Sequence, residues 1–163
     1  MNDRVSVYIG LGSNLQNPKR QVETALEELA QLPDTSLLDH SSLYRSRPVG
    51  PQDQDDFINA VAHLSTALAA DSLLDALQQL EQQHHRVRER RWGPRSLDLD
   101  LLLYGDRTID TPRLKVPHPE IAKRSFVLLP LHEIAPTDLR IPGLGLLQTL
   151  VTGTERSDIE RLA

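Results

Sequence analysis

An α+β fold with the element order βαββαβ and an antiparallel sheet is what this sequence predicts, and three observations carry that expectation. Val5 to Leu11 and Phe57 to Thr66 alternate apolar with small or polar residues, the two-residue period of a half-buried strand. Segments starting at Pro18 and about Asp71 repeat apolar residues every three or four positions, the period of a helix with one buried face. Leu97 to Tyr104 then closes the series as a further strand. Arranged in this way the elements make a split βαβ, ferredoxin-like core, with two helices on one face of the sheet.

Each element has its own justification. In the first strand Val5, Val7, Ile9 and Leu11 share one face, and Gly10 and Gly12 are expected to permit a tight exit towards the helix. Asn17 before Pro18 is an N-cap and first-turn pair, after which Val22, Ala25, Leu26 and Leu29 form a stripe. Leu37 to Tyr44 reads as a second strand, expected to pair antiparallel with Phe57 to Thr66. Between them Arg45 to Asp56 is longer than a hairpin needs and rich in Pro, Gly and Asp, the kind of loop that carries function. The second helix bears Leu73, Leu74, Leu77 and Leu80, with Gln78 and Glu81 along the edge of that stripe. A second long loop spans Arg86 to Ser96. Beyond Asp106 the prolines at 112, 117, 119, 130, 136 and 142 break the chain into short pieces, with helical candidates at Ser125 to Ile134 and Leu144 to Val151. These C-terminal elements are expected to cover the other face of the sheet.

The bulk properties bound the function. A chain of 163 residues can bury roughly 70% of its unfolded surface, so residues 1–163 are expected to form a single domain. With 39% hydrophobic and 25% charged residues the composition is that of a globular protein. The net charge of -5 argues against a general nucleic-acid binder. Absence of cysteine removes disulfides, thiolate metal sites and cysteine nucleophiles. No run approaches the ~20 apolar residues that span a bilayer, and no signal-peptide pattern opens the chain, so a cytoplasmic monomer without membrane partners is expected.

Chemistry concentrates in two adjoining stretches. In Leu97-Asp98-Leu99-Asp100-Leu101 both carboxylates point to one face of a strand whose other face is leucine. At about 6 Å and an effective dielectric near 20 they repel by roughly 3 kcal/mol, a penalty that a divalent cation reverses. Hard oxygen donors select magnesium over zinc, and a magnesium held by few carboxylates keeps places for water and phosphate. The alternative is a solvated strand face. Just upstream, Arg86, Arg88, Arg90, Arg91 and Arg95 supply five guanidinium forks suited to phosphate oxygens, with one acid, Glu89, among them. A charged helix end before a Gly93-Pro94 turn is the plainer explanation, weakened by the acids that follow it. Arginines beside paired acids suggest a polyphosphate with magnesium.

Several longer strings add specificity. They are Gly12-Ser13-Asn14, Gly50-Pro51-Gln52-Asp53-Gln54, Phe57-Ile58-Asn59-Ala60, Arg91-Trp92-Gly93-Pro94-Arg95-Ser96-Leu97-Asp98-Leu99-Asp100, Val116-Pro117-His118-Pro119 and Arg124-Ser125-Phe126. Together they resemble the 6-hydroxymethyl-7,8-dihydropterin pyrophosphokinases over nearly the whole chain. The resemblance implies transfer of the ATP diphosphate to the hydroxyl of 6-hydroxymethyl-7,8-dihydropterin in folate biosynthesis, with AMP released. It implies that Asp98 and Asp100 hold two magnesium ions and that Arg86 and Arg95 are the catalytic arginines. Leu74, Gln78, Glu81, Arg88, Trp92, Leu101, Arg113, Lys115, His118 and Arg124 would surround ATP, the co-substrate. Ser46, Val49, Phe57, Asn59, Trp92 and Phe126 would surround the pterin, with the two phenylalanines stacking on its ring. This chain departs from some relatives at Phe57 and Pro119, where they carry Tyr, and at Ser46-Arg47, where one has Thr-Pro.

Two other classes of function bear on the same residues. An RNA-binding module of this topology would stack bases on sheet aromatics, but the last core strand carries two acids instead. A noncatalytic ligand-binding domain would bind nucleotide without releasing AMP. The position of the single tryptophan, Trp92, between the arginines and the acids yields a measurable expectation. Magnesium with a nonhydrolysable ATP analogue changes Trp92 emission, and pterin binds well only afterwards, so calorimetry with pterin alone shows weak binding. Equal pterin affinity with and without nucleotide refutes that order.

Overall fold

The computed structural model describes residues 4–14, 17–47, 56–84, 97–154 and 159–162. In chain order the core elements are β1 (Val5–Ser13), α1 (Pro18–Leu29), β2 (Thr35–His40), β3 (Tyr44–Ser46), β4 (Phe57–Thr66), α2 (Ala70–His84) and β5 (Asp98–Tyr104). The rest comprises β6 (Ile109–Asp110), β7 (Lys115–Val116), a 3-10 turn at Ile121–Lys123, α3 (Ser125–Ile134), β8 (Arg140–Ile141), β9 (Gly145–Leu146), α4 (Leu147–Thr152) and β10 (Ile159–Arg161). The main sheet runs β10-β3-β4-β1-β5, with β2 also paired to β4, and every described pairing in it is antiparallel. This is the expected α+β architecture.

The alternation of β1 sets the layers. Val7, Ile9 and Leu11 face one core with Val22 and Leu29 of α1 and Leu73 and Leu77 of α2. Tyr8 faces the opposite core with Val61 and Leu103, beneath Leu128 and Leu131 of α3 and Leu147 and Val151 of α4. The C-terminal segment therefore covers the second face, as expected. Each fully buried leucine contributes about 2 kcal/mol relative to an exposed one, so both layers hold the sheet by hydrophobic burial.

One irregularity decides which way β5 points its acids. Tyr8 pairs with Leu103 but Ile9 pairs with Leu101, so Leu102 is an extra residue, a β-bulge, and both Leu102 and Leu103 enter the second core. Below the bulge Leu101 and Leu99 face α1 and α2, while Asp100 and Asp98 face the other side, opposite Gly10 and Gly12. Unbroken alternation from Leu103 would have driven both carboxylates into the leucine core under the helices.

The structure departs from the sequence expectation at four points. The predicted strand Leu37 to Tyr44 divides into β2 and β3, because Ser41 interrupts the ladder with its side chain. Its hydroxyl accepts from Val61 N–H (2.9 Å) and donates to Ser42 O (2.7 Å), so the buried β4 amide stays satisfied. Asn17 makes no side-chain cap; it adopts a left-handed conformation at φ 63°, and its carbonyl accepts from Gln21 N–H. The last helix starts at Leu147 rather than Leu144, after a β8–β9 hairpin whose turn needs Gly143 and Gly145 at φ 79° and 93°. The glycines of β1 lie within the strand, which continues to Ser13, and form no turn.

At the far end of the second face the His63 ring stacks on Tyr8, centroids 4.5 Å apart, with Ser6 Oγ 2.6 Å from Nε2. Burial pushes the imidazole pKa below its usual value of 6.5, against the pull of Asp39. The folded state thus favours neutral His63. Its contribution is whole above pH 6.5 and is lost as the pH falls, when the unfolded chain takes up the proton first. The urea midpoint should decrease between pH 7.5 and pH 5.5, and His63→Gln should reduce that decrease while lowering stability at both pH values.

Candidate active site

The two inward residues of β5 and the even-numbered residues of β1 make a floor with walls. Gly12 pairs with Asn59 of β4 on one side and Asp98 of β5 on the other, and Gly10 pairs with Asp100. With adjacent strands about 4.8 Å apart, Asn59 and Asp98 stand roughly 10 Å apart across a strip that carries no side chains. Above that strip opens a cavity of about 530 Å³, lined by Gly10, Gly12, Ser46, Phe57, Asn59, Asp98, Asp100, Arg124 and Phe126 among others. Five elements supply these groups: β1 holds Gly10 and Gly12, β3 Ser46, β4 Phe57 and Asn59, β5 the acids, and α3 Phe126, with Arg124 just before it.

Local bonds fix the lining. Asn59, only 3% exposed, donates from Nδ2 to Ser46 Oγ at 2.6 Å, which orients its amide. An added Cβ at Gly12 would lie 3.4 Å from Asn59 Oδ1 and 3.9 Å from Phe57 Cδ1, so the glycine lets both side chains close over β1. The Arg124 guanidinium lies over the Phe126 ring, 5.6 Å from its centroid. Glu81 of α2 accepts from the N–H of Leu99 at 2.8 Å and so ties the helix to the strand between the two aspartates.

His118 sits beside the acids. The peptide before Pro117 is cis, His118 N–H donates to Leu102 O at 3.0 Å, and Nε2 lies 4.0 Å from Asp100 Oδ1. Nδ1 accepts from Glu120 N–H at 3.1 Å, which leaves Nε2 as the protonated nitrogen of the neutral ring. Burial holds the His118 pKa below 6.5 despite the opposing pull of Asp100.

The other nucleotide candidates do not line this cavity. Arg113, on the turn between β6 and β7, reaches α2, bonding to Asp75 and lying 3.4 Å from Gln78 Oε1. Lys115 bonds to Asp110 and to Thr111 O at 3.2 Å. Leu74 packs against the core, and Leu101, 3% exposed, lies within it, so a role for Leu101 at a nucleotide falls to its backbone. Val49, Arg86, Arg88, Trp92 and Arg95 lie outside the described residues.

The sequence reading took the floor glycines for turn residues and assigned no site role to Arg47, Glu120 or Lys123, which also line the cavity. The signal for the glycines was present in their two-residue spacing, which matches that of Asp98 and Asp100 one strand away.

Comparison with known proteins gives this arrangement its class. Residues 8–136 match the family model described as 7,8-dihydro-6-hydroxymethylpterin-pyrophosphokinase. A 2-amino-4-hydroxy-6-hydroxymethyldihydropteridine pyrophosphokinase of Pseudomonas aeruginosa is 51% identical over 96% of this chain and 96% of its own. One from Haemophilus influenzae is 49% identical over 90% of this chain and 91% of its own. A solved structure of Plasmodium falciparum HPPK-DHPS with SDX-DHP superposes with a TM-score of 0.75 at 16% identity, over 93% of this chain and 46% of that one, a likeness of fold. This chain belongs to the 7,8-dihydro-6-hydroxymethylpterin-pyrophosphokinase family.

The bare floor generates a prediction. Gly12→Val gains strand propensity of up to about 1 kcal/mol but sets its methyls against Asn59 and Phe57, whose Oδ1 and Cδ1 lie 3.4 and 3.9 Å from the Cβ position, so thermal stability should stay near or below that of the wild type. Its methyls would occupy the cavity, so calorimetric affinity for 6-hydroxymethylpterin in the presence of a magnesium–ATP analogue should fall at least tenfold. Unchanged affinity would show that the ring does not lie over β1.

Proposed function

We propose that the cavity over Gly10 and Gly12 is where this chain joins its two substrates, the pterin between Phe57 and Phe126 and the ATP diphosphate over Asp98 and Asp100. The activity is that of the family, a pyrophosphokinase of folate biosynthesis that passes the diphosphate of ATP to the hydroxyl of 6-hydroxymethyl-7,8-dihydropterin. The observation that carries the residue assignment is that Phe57, Asn59, Phe126, Arg124, Asp98 and Asp100, spread over 69 positions of sequence from 57 to 126, line one cavity.

In this reading the hydroxyl oxygen attacks the β-phosphorus, the bond to the oxygen of the α-phosphate breaks, and AMP leaves with that electron pair. The chain contributes position and charge. Asn59, its amide held by Ser46, reads the polar edge of the pterin while the two phenylalanine rings fix its plane. Arg124, with the upstream Arg86 and Arg95, meets the negative charge that spreads over the transferred group. Arg88, Trp92, His118, Leu74, Gln78, Glu81, Arg113, Lys115 and the Leu101 backbone complete the nucleotide side, and Val49 with Ser46 the pterin side.

Asp98 and Asp100 would hold magnesium, two ions in our reading. The fit is supported by their chemistry: both are partly exposed on one sheet face, and their donors are hard oxygens. Among the described residues no cluster of three or more His, Asp or Glu is arranged to hold a metal. A metal with only two protein carboxylates keeps positions for phosphate oxygens, which bound magnesium would draw together and neutralise.

Asp98→Asn and Asp100→Asn should each reduce AMP release more than 100-fold at saturating magnesium. The same variants should melt at the wild-type temperature or above it, because each removes one of two repelling charges. Near-normal turnover of either variant would sink the metal assignment.

A further inference from the structure

We propose that Glu133, at the far end of α3 from the cavity, is a positioning residue that sets the distance between the two walls of the pterin slot. The proposal rests on the pterin reading of that cavity. Among the described residues, none of the groups that Glu133 bonds lines the cavity. Its carboxylate instead gathers the start of β3. It accepts from Ser42 N–H at 3.0 Å to both oxygens, from Ser42 Oγ at 2.9 Å and from Tyr44 Oη at 2.8 Å. Arg161 of β10 adds an ion pair at 3.6 Å, and its Nε donates to Ser42 Oγ at 3.1 Å.

The spacing within each element makes this cluster a lever on the cavity. Phe126 and Glu133 are seven residues apart on α3, two turns and about 10 Å, and therefore share one helical face. Tyr44 and Ser46 are two residues apart on β3 and share one face of the sheet. At one end of this ladder Glu133 grips Tyr44; at the other Phe126 faces a wall made by Ser46 and the Asn59 it orients. β3 is only three residues long, paired to β4 on one side and to the equally short β10 on the other. Strand pairing alone gives it little stiffness, so the bonds to α3 carry its placement.

The ionisation states suit a permanent tie. Burial first, and then the bond to Glu133, push the Tyr44 hydroxyl up to about 12, so it remains a donor throughout the neutral range. Burial opposes the charge on Glu133, yet the bonds from Tyr44 and Ser42 with the Arg161 charge outweigh it and keep the carboxylate below its usual pKa of 4.5. Every group facing the carboxylate is a donor, and replacing one of its oxygens with an amide sets donor against donor.

The test uses Glu133→Gln and Tyr44→Phe in the full chain, with Arg161→Ala as a control, because that arginine is 62% exposed. For both variants the pterin KM should rise at least fivefold while the ATP KM stays within twofold, and the double variant should be no worse than the poorer single one. Hydrogen exchange without any ligand should accelerate at residues 42–46 and 124–128 and remain unchanged in α2 and β5. Pterin and ATP KM rising together, or an equal effect from Arg161→Ala, would reduce Glu133 to a general stability role and overturn the proposal. Unchanged exchange in Glu133→Gln would overturn it as well, whatever the substrate. Wild-type protein that releases no AMP with pterin would instead defeat the pterin reading, and the exchange data would still decide whether Glu133 ties the two elements.

Discussion

A single residue of register between β1 and β5 governs the rest of this molecule. Leu102 has no partner of its own on β1, and that offset turns every side chain below it to the opposite face. Above the bulge β5 gives Leu103 to the layer under α3; below it the strand gives Leu99 and Leu101 to the layer under α1 and α2. The acids are thereby moved from a leucine core, where an unpaired charge would cost several kcal/mol, to an open face. The offset works only because Gly10 and Gly12 lie opposite Asp100 and Asp98, and because Leu102, packed 3.4 Å from where a Gly10 Cβ would be, closes the floor beside them.

From that floor outward the same device recurs on both sides of the sheet. On the helix-covered side Glu81 of α2 bonds the Leu99 amide between the aspartates. On the other side Glu133 of α3 bonds Ser42 and Tyr44 at the head of the wall that carries Ser46. In each case a carboxylate on a helix satisfies strand donors and converts hydrophobic packing, which tolerates sliding, into a fixed offset between two elements. Hydrophobic layers specify which faces meet, whereas these bonds specify where along the strand they meet.

How much of this could be read from the chain follows from the range of each interaction. Period-two alternation in β1 and β4 and the leucine stripe of α2 are local, and β1, α1, β4, α2 and β5, their order and the covering of the second face were legible. The D-x-D spacing placed both acids on one face, as found, although the sequence of five residues 99, 101, 102, 103 and 104, all apolar or aromatic, hid the bulge. Ser41 looked like any polar strand residue, since its use as a substitute ladder acceptor depends on an amide 20 positions away. β10 was invisible because Ile159 to Arg161 has no pattern of its own and exists only as an edge for β3. The floor glycines were misread as turn residues for a related reason: a glycine in a strand shows its purpose only when the residues on either side of it in space are known.

The electrostatics of the cavity complete the account. Asp98 and Asp100 share a face and repel, and the obvious neighbour that could relieve Asp100 is withheld from doing so. His118 stands 4.0 Å away with its protonated nitrogen towards the carboxylate, yet burial keeps the ring neutral, so it offers a dipole and no charge. Two described cations of the lining have neighbours of their own: Arg124 lies over Phe126, and Lys123 pairs with Glu120 at 3.8 Å. The carboxylates of Asp98 and Asp100 and the apolar rings of Phe57 and Phe126 thus line one cavity across the bare floor of β1.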